Sequence, residues 1–118
     1  MVRKGYMAEK WVKDKLVALY GKDDVIKVAI AGKIDYIVLN RGRIVKGVEV
    51  KECHQSRYTP SKREIEQFKW LLAFAKRHKC NAELWVLFPQ GRGKPPIVHC
   101  FENKKIKEVI NKEVKVYG

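Results

Sequence analysis

The sequence predicts an α/β fold in which helices flank a mixed central β-sheet, with the element order α-β-β-β-α-β-β-α. Three observations support this prediction: a hairpin of two β-branched runs, a helix that begins with a capping box, and a dense apolar strand after that helix. The apolar strand, over residues 82–88, is expected to be buried on both faces and therefore to pair inside the sheet.

The N-terminal half is predicted to form one helix and three strands. The helix covers residues 5–20 and ends at Gly21, and the first strand covers residues 24–30. Residues 34–39 and 43–52 form a hairpin, because both runs are rich in β-branched residues and the segment between them has turn composition.

The C-terminal half is predicted to form a helix, two strands and a short last helix. Ser61 and Glu64 have the spacing of a capping box, which satisfies free backbone N–H groups at a helix start, and this helix extends to about residue 77. The remaining segments are, in chain order, a loop over 53–60, the strand over 82–88, a Gly/Pro turn over 89–95, a strand over 97–101 and a helix over 104–111.

Composition limits the class of protein. The chain has 118 residues, of which 46% are hydrophobic, so we expect a single domain over residues 1–118 with a sufficient core. No apolar run reaches the roughly 18 residues of a membrane span, and the N-terminus lacks the apolar stretch of a secretory signal. A soluble, cytoplasmic protein without a membrane partner is therefore expected. Three scattered cysteines without a Cys-x-x-Cys motif argue against disulfides and structural zinc.

The charge balance predicts a polyanionic partner. Lysine and arginine number 26 against 13 aspartates and glutamates, which gives a net charge of +13 spread along the chain. Such a field attracts phosphate backbones. The alternative is the highly charged surface of a thermophile protein, but there lysine and glutamate rise together, and here the acidic residues do not keep pace.

Two acidic residues and a lysine are expected to meet on the predicted hairpin. Paired residues lie at equal distances from the turn, so Asp35 is opposite Glu49 or one residue away. Side chains alternate along a strand, which places Glu49 and Lys51 on one face and Val48 and Val50 on the other. If Asp35 is directly opposite Glu49, its side chain lies on the same face as Glu49 and Lys51, and two carboxylates and an ammonium lie close together.

This arrangement is typical of phosphodiester hydrolysis. Mg²⁺ bound by one or two carboxylates, with Mn²⁺ able to substitute, provides a nucleophilic water and neutralises charge on the phosphate. Asp35 and Glu49 would be direct ligands together with the Val50 carbonyl, and Lys51 would orient or help to deprotonate the attacking water. The alternative is that both acids are solvated, as on most half-exposed strands, since Glu-Val-Lys alone is weak evidence.

Three further residues occupy informative helix positions. Glu9 lies on the apolar stripe that contains Leu16 and Leu19, so its carboxylate needs either a metal ion or a basic partner. Gln67 lies at the edge of the apolar arc of the second helix, where its amide would bond a loop carbonyl or orient a ligand or phosphate. Trp70, on the opposite side of that helix, is expected to be partly exposed and to contact a second protomer or a nucleobase.

In their order and spacing these motifs resemble the archaeal Holliday-junction resolvases, within the PD-(D/E)xK, restriction-endonuclease-like nuclease superfamily. The resemblance covers roughly residues 3–90, through Arg-Lys-Gly-Tyr-Met-Ala-Glu at 3–9, Ile-Asp-Tyr-Ile-Val at 34–38 and Val-Glu-Val-Lys at 48–51. The chain departs from the family at Ile34, where a proline is usual, and in its short loop 31–33, which lacks a common serine. The resemblance implies a restriction-endonuclease-like sandwich.

The resemblance also implies roles for individual residues. It makes Glu9, Asp35 and Glu49 the metal-site acids of the catalytic centre and Lys51 its catalytic lysine, with a weaker transfer to Gln67 near the site. DNA contacts fall on Arg3 and Lys4. Members of the family are homodimers, which suits symmetric cutting of two strands across a four-way junction.

Basic residues outside these motifs could grip backbone phosphates, although each taken alone is more often a solvated loop charge. They lie at the hairpin turn, in the loop after the catalytic strand and at the start of the second helix: Arg41, Arg43, Arg57, Lys62 and Arg63.

The leading hypothesis from the sequence is a Mg²⁺-dependent, structure-selective endodeoxyribonuclease, a homodimer that resolves four-way DNA junctions in recombination or repair. Two alternatives stay open. One is a nuclease of the same fold that acts on other DNA, of the restriction or repair type, and the other is a DNA-binding protein without catalytic activity.

Overall fold

The computed structural model describes residues 6–28 and 34–117, with the backbone alone at Tyr6. Within these ranges no helix is both long and apolar enough to cross a bilayer. The elements are, in chain order, α1 (Tyr6–Tyr20), a 3-10 turn (Lys22–Asp24), β1 (Val25–Lys27), β2 (Tyr36–Asn40), β3 (Arg43–Glu52), β4 (Arg57–Tyr58), α2 (Lys62–His78), β5 (Asn81–Phe88), β6 (Ile97–Glu102), a second 3-10 turn (Asn103–Lys105), α3 (Ile106–Asn111) and β7 (Val114–Lys115).

Five of the strands form a mixed sheet in the order β1-β2-β3-β5-β6. β3 and β5 run parallel, whereas the other neighbouring strands of this sheet are antiparallel. β5 lies at an interior position, and all but two of its eight residues are buried, as its apolar sequence predicts. The prediction of a mixed central sheet flanked by helices is confirmed.

Two very short strands are additions to the predicted order. β4 and β7 pair with each other in a separate antiparallel sheet. β4 lies in the segment 53–60 for which the sequence predicts a loop. A strand of two residues has too little alternation to be recognised from its sequence, so only the folded chain reveals it.

The central sheet has a helical layer on each face. On one face Val12 and Leu16 of α1 form a core cluster with Val48 and Val50 of β3. Leu19, predicted on the same stripe as Leu16, lies in the last turn of α1 and is 70% exposed, so the apolar stripe ends one turn before the helix. The other face is covered by α2 and α3, whose core residues include Phe68, Leu71, Ile106 and Val109.

The β2–β3 hairpin turns through two residues. The ends of the segment 40–43 pair with each other, and Arg41 and Gly42 between them have φ values of 53° and 78°. Two positive φ values characterise the tight turn whose twist matches that of the strands, and glycine adopts such values at little cost. From this turn the register continues, with one bulge, to Tyr36 opposite Val48.

α2 begins with the capping box that the sequence predicts. The Glu64 N–H donates to the Ser61 hydroxyl at 3.2 Å, and the Ser61 N–H donates to the Glu64 carboxylate at 3.0 Å. Both bonds satisfy backbone or side-chain groups at the helix start, so they fix where α2 begins and hence which of its residues reach β3.

Replacing Ser61 with alanine is expected to lower the free energy of unfolding by about 1 kcal/mol, because the Glu64 N–H loses its side-chain acceptor. Urea denaturation of the wild type and the variant measures this difference. Thr59→Ala is the matched control, since Thr59 is exposed and precedes the helix. Equal losses of stability in the two variants would contradict the assigned role of the capping box.

Candidate metal centre

Asp35 and Glu49 lie side by side. Of the two registers that the sequence allows, the hairpin has the one in which Asp35 and Glu49 share a face. The ladder ends with Tyr36 opposite Val48, and just beyond it the Asp35 N–H donates to the Val48 carbonyl at 2.9 Å. The Asp35 carbonyl accepts from the Val28 N–H, also at 2.9 Å. Backbone bonds on both sides therefore hold Asp35 beside Glu49.

The two carboxyl groups are removed from water, and this sets their charge. Burial raises the pKa of Asp35 above its ordinary value, although the Val50 N–H, which donates to Asp35 Oδ2 at 2.7 Å, opposes this shift. Burial first, and the Asp35 charge second, raise the pKa of Glu49 to about 9. Glu49, which is 3% exposed, therefore retains a proton at neutral pH when no cation is bound.

One buried oxygen of this pair has no hydrogen-bond donor among the described residues. Glu49 Oε2 is buried and makes no hydrogen bond within the part of the chain that the structure describes. A buried polar atom left in this way is unfavourable, and a divalent cation would satisfy it while displacing the Glu49 proton. Carboxylate oxygens are the donors that Mg²⁺ and Mn²⁺ prefer, so the chemistry of the pair fits such an ion.

Lys51 lies on the same face as the two acids. Its ammonium donates to Gln67 Oε1 at 2.6 Å and lies 3.5 Å from Glu49 Oε1. Gln67 Oε1 thus accepts a hydrogen bond from the lysine, a contact that the sequence did not indicate. Because Gln67 belongs to α2, packing of this helix on the sheet orients the ammonium beside the acids.

Glu64 is a residue of this site that the sequence analysis missed. Its Oε2 lies 3.7 Å from Lys51 Nζ, while its Oε1 accepts from the capping residue Ser61. The Tyr58 hydroxyl is also buried here, and burial together with the Glu64 charge raises the pKa of Tyr58. The available signal was helical spacing, since Glu64 precedes Gln67 by three residues and therefore shares its face.

Glu9 approaches the pair from α1. Its charge helps to raise the pKa of Asp35, and its carboxylate accepts from Lys27 Nζ at 3.4 Å. Of the two partners that the sequence allowed, the structure shows the basic one. Glu9, Asp35 and Glu49 are not among the groups of three ligand side chains within 4.8 Å of one another in residues 6–28 and 34–117.

The described residues do contain one such group elsewhere, at Glu83, Cys100 and Glu102 on β5 and β6. There the Lys46 ammonium lies 2.6 Å from Glu83 Oε2, and the Trp85 indole donates to Glu83 Oε1 at 2.9 Å. Burial and the two glutamates raise the pKa of Cys100 to about 12, so its thiol stays protonated. A metal ion at Glu83 would have to displace Lys46, whereas no described residue donates a hydrogen bond to Glu49 Oε2.

The basic residues predicted to contact DNA occupy different places. Lys62 and Arg63 are exposed at the start of α2, close in sequence to Glu64. Arg57 lies 3.6 Å from Glu113, so part of its charge is already balanced. Arg41 and Arg43 lie at the hairpin turn, at the opposite end of β3 from the acids. Arg3 and Lys4 lie outside the described residues.

Comparison with known proteins shows a shared fold. No protein-family model matches the sequence, and no curated protein matches it. Among solved structures the chain is similar to Hjc, a Holliday junction resolvase of the archaeal hyperthermophile Archaeoglobus fulgidus, with 20% sequence identity and a TM-score of 0.50. The match covers 93% of this chain and 98% of that chain. The chain therefore has the mixed α/β fold of Hjc.

Glu49→Gln is expected to remove a pH dependence of stability from the metal-free protein. The folded-state pKa of Glu49, about 9, exceeds its ordinary value of 4.5, so its contribution is complete below pH 4.5 and is lost as the pH rises through 9. Relative to E49Q, the wild type should lose up to about 1.4 kcal/mol for each pH unit between these limits.

Thermal unfolding of both proteins in EDTA, measured from pH 5 to pH 9, tests this expectation. Subtracting the two curves cancels the titrating groups that do not interact with Glu49, so the difference reports on Glu49 and its neighbour Asp35. If the two curves stay parallel over the whole range, the pKa of Glu49 is not raised in the folded protein and the prediction is wrong.

Proposed function

We propose that this protein is a single-domain, divalent-metal-dependent endodeoxyribonuclease, over residues 1–118, that cuts branched DNA. The observation that best supports it is the buried pair Asp35 and Glu49 with Lys51 on the same face. Two acids that can bind a metal ion and an ammonium that can offset charge on the phosphate are suited to metal-assisted phosphodiester hydrolysis. Mg²⁺ is the proposed ion, and Mn²⁺ would substitute for it.

Asp35 and Glu49 would bind the ion directly. The Val50 carbonyl and the more distant Glu9 would complete the set of ligands that the protein provides. A bound divalent ion supplies a nucleophilic water and neutralises developing charge on the phosphate. The Val50 N–H, which donates to Asp35, keeps one carboxylate oxygen fixed in place. The orientation of the ligands therefore depends on the β2–β3 ladder.

Lys51 would act on the attacking water and on the phosphate. Its side chain is 17% exposed, and its ammonium is held by the Gln67 amide and the Glu64 carboxylate, which restricts its rotation. From there it would orient the water or help to deprotonate it, and it would offset charge on the phosphate oxygens. Gln67 and Glu64 would be positioning residues that act through the lysine.

Branched DNA, and a four-way junction in particular, is the substrate that the remaining observations favour. A net charge of +13 draws phosphate backbones of any sequence, so it indicates nucleic acid without choosing its form. The structural neighbour Hjc is described as a Holliday junction resolvase. A role in recombination or repair would follow from that substrate.

Symmetric cutting of a four-way junction requires two active sites, so we propose a homodimer. An aromatic row on α2 runs from the half-exposed Trp70 to Phe74, which packs against the core, and the two rings stack with centroids 5.5 Å apart. Trp70 is 36% exposed, as the sequence predicted. Exposed aromatic residues are enriched in protein interfaces, which favours this row as the contact between protomers.

Asp35→Asn and Lys51→Ala should each slow nicking of a synthetic four-way junction in Mg²⁺ by on the order of 100-fold or more, because each removes a group of the reacting centre. The wild type should leave paired symmetric nicks and spare linear duplex of the same sequence. Asp14→Asn, which changes an exposed aspartate bound to Lys10, is the control and should cut normally.

Three outcomes of that assay would contradict parts of the proposal. Normal cutting by D35N or K51A would remove the assigned site. Equal cutting of linear duplex would replace junction selectivity by a broader DNA substrate. Binding of the junction without any nicking in Mg²⁺ or Mn²⁺ would leave a non-catalytic DNA-binding protein.

Trp70→Glu should convert the dimer into monomers, because a charge at the centre of an apolar contact is desolvated without a partner. Light scattering after size exclusion, at several protein concentrations, measures the mass. Leu19→Glu is the matched control, since Leu19 is an exposed apolar residue on α1 and should tolerate the same change. A dimeric W70E protein, or a monomeric wild type, would contradict this interface.

A further inference from the structure

A basic cleft lies at the opposite end of the sheet from the acidic pair. It has a volume of about 800 Å³ and is bounded by the β2–β3 turn, the end of α2 and the start of β5. Its lining includes Arg41, Arg43, His78, Lys79 and Asn81. We infer that this cleft binds the phosphate backbone of a DNA arm at a distance from the cleaved bond, an inference that rests on the proposed nuclease function.

The charge of the cleft favours a polyanion. It is lined by two arginines and a lysine and by no acidic residue, and none of these three cations makes an ion pair with a described residue. By contrast, three other clefts among the described residues contain carboxylates: Glu9 and Asp14 in the first, Glu52 in the second and Glu108 in the third. Unbalanced positive charge in a concave site attracts phosphate.

The backbone that presents these cations is well defined. Arg41 occupies the first position of the tight hairpin turn, with φ of 53°. Lys79 caps the C-terminus of α2 in the left-handed conformation, with φ of 52°, and its N–H donates hydrogen bonds to the Ala75 and Lys76 carbonyls. Two fixed turns therefore hold cations on both sides of the cleft, so less ordering is needed when a phosphate binds.

The position of the cleft indicates which phosphates it reaches. Arg43 precedes Glu49 by six residues on β3, which corresponds to roughly 20 Å along the strand. Phosphates on one DNA strand are about 3.4 Å apart along the axis, so this distance is about six base pairs. A duplex arm whose cleaved bond lies at the acids would therefore meet the cleft about half a helical turn away.

The test uses the triple variant Arg41→Gln/Arg43→Gln/Lys79→Gln and a control with the same loss of charge, Lys15→Gln/Lys107→Gln/Lys112→Gln. The control residues are exposed on α1 and at α3, and none of them lines the cleft. Binding of a four-way junction is measured by fluorescence anisotropy in EDTA at several salt concentrations, and hydroxyl-radical footprints are recorded on the same complexes.

The cleft variant should bind about tenfold more weakly at 0.15 M salt, and the slope of log K against log salt should fall by roughly two to three, or about 0.9 for each lost phosphate. It should lose protection about six base pairs from the cleavage position and keep protection beside that position. The control should change affinity less than threefold, about 0.7 kcal/mol.

Failure of this inference is distinguishable from failure of the proposed function. If the cleft variant matches the control in affinity, salt slope and footprint, the cleft does not bind DNA even though the enzyme cuts it. If the wild type binds the junction but never nicks it, the nuclease proposal fails while the binding comparison still decides the role of the cleft. If the wild type does not bind DNA, both are wrong.

Discussion

The antiparallel register between β2 and β3 is the constraint on which the rest of the structure depends. It places Asp35 beside Glu49 on the face toward α2, while Val48 and Val50 enter the core beneath α1. A shift of β3 by one residue would turn its valines toward α2 and Glu49 into the α1 core, away from Asp35. The hydrophobic core and the candidate metal centre are therefore specified by the same ladder of hydrogen bonds.

This register is unfavourable for the two carboxyl groups unless their charge is compensated. The metal-free protein compensates with a proton on Glu49, a backbone donor from Val50 and the ammonium of Lys51. A pair that is held together in this way is a poor source of stability and a good receptor for a divalent cation. Strongly shifted pKa values at one place are accordingly typical of functional sites.

Local sequence patterns predicted most of the backbone and the acidic pair, because turns, capping boxes and strand alternation are short-range features. The partners of Lys51 could not be predicted in the same way, since Gln67 and Glu64 reach it only after α2 packs on β3. The ion pair between Lys46 and Glu83 likewise joins strands that are distant in sequence. Leu19 was predicted on the buried stripe of α1 but is exposed. Helical periodicity gives the side of the helix on which a residue lies, but it does not show how far the sheet beneath the helix extends.

Two acidic groups among the described residues could attract a cation: the pair Asp35 and Glu49, and the group at Glu83 and Glu102. Lys46 already neutralises Glu83, whereas Glu49 keeps a buried oxygen without a donor, and this difference leads to the most direct test. Anomalous diffraction from a crystal grown with Mn²⁺ locates the ion without any assay of activity. The account predicts a manganese peak within about 2.2 Å of oxygens from both Asp35 and Glu49. A peak confined to Glu83 and Glu102, or no peak at either place, would contradict it.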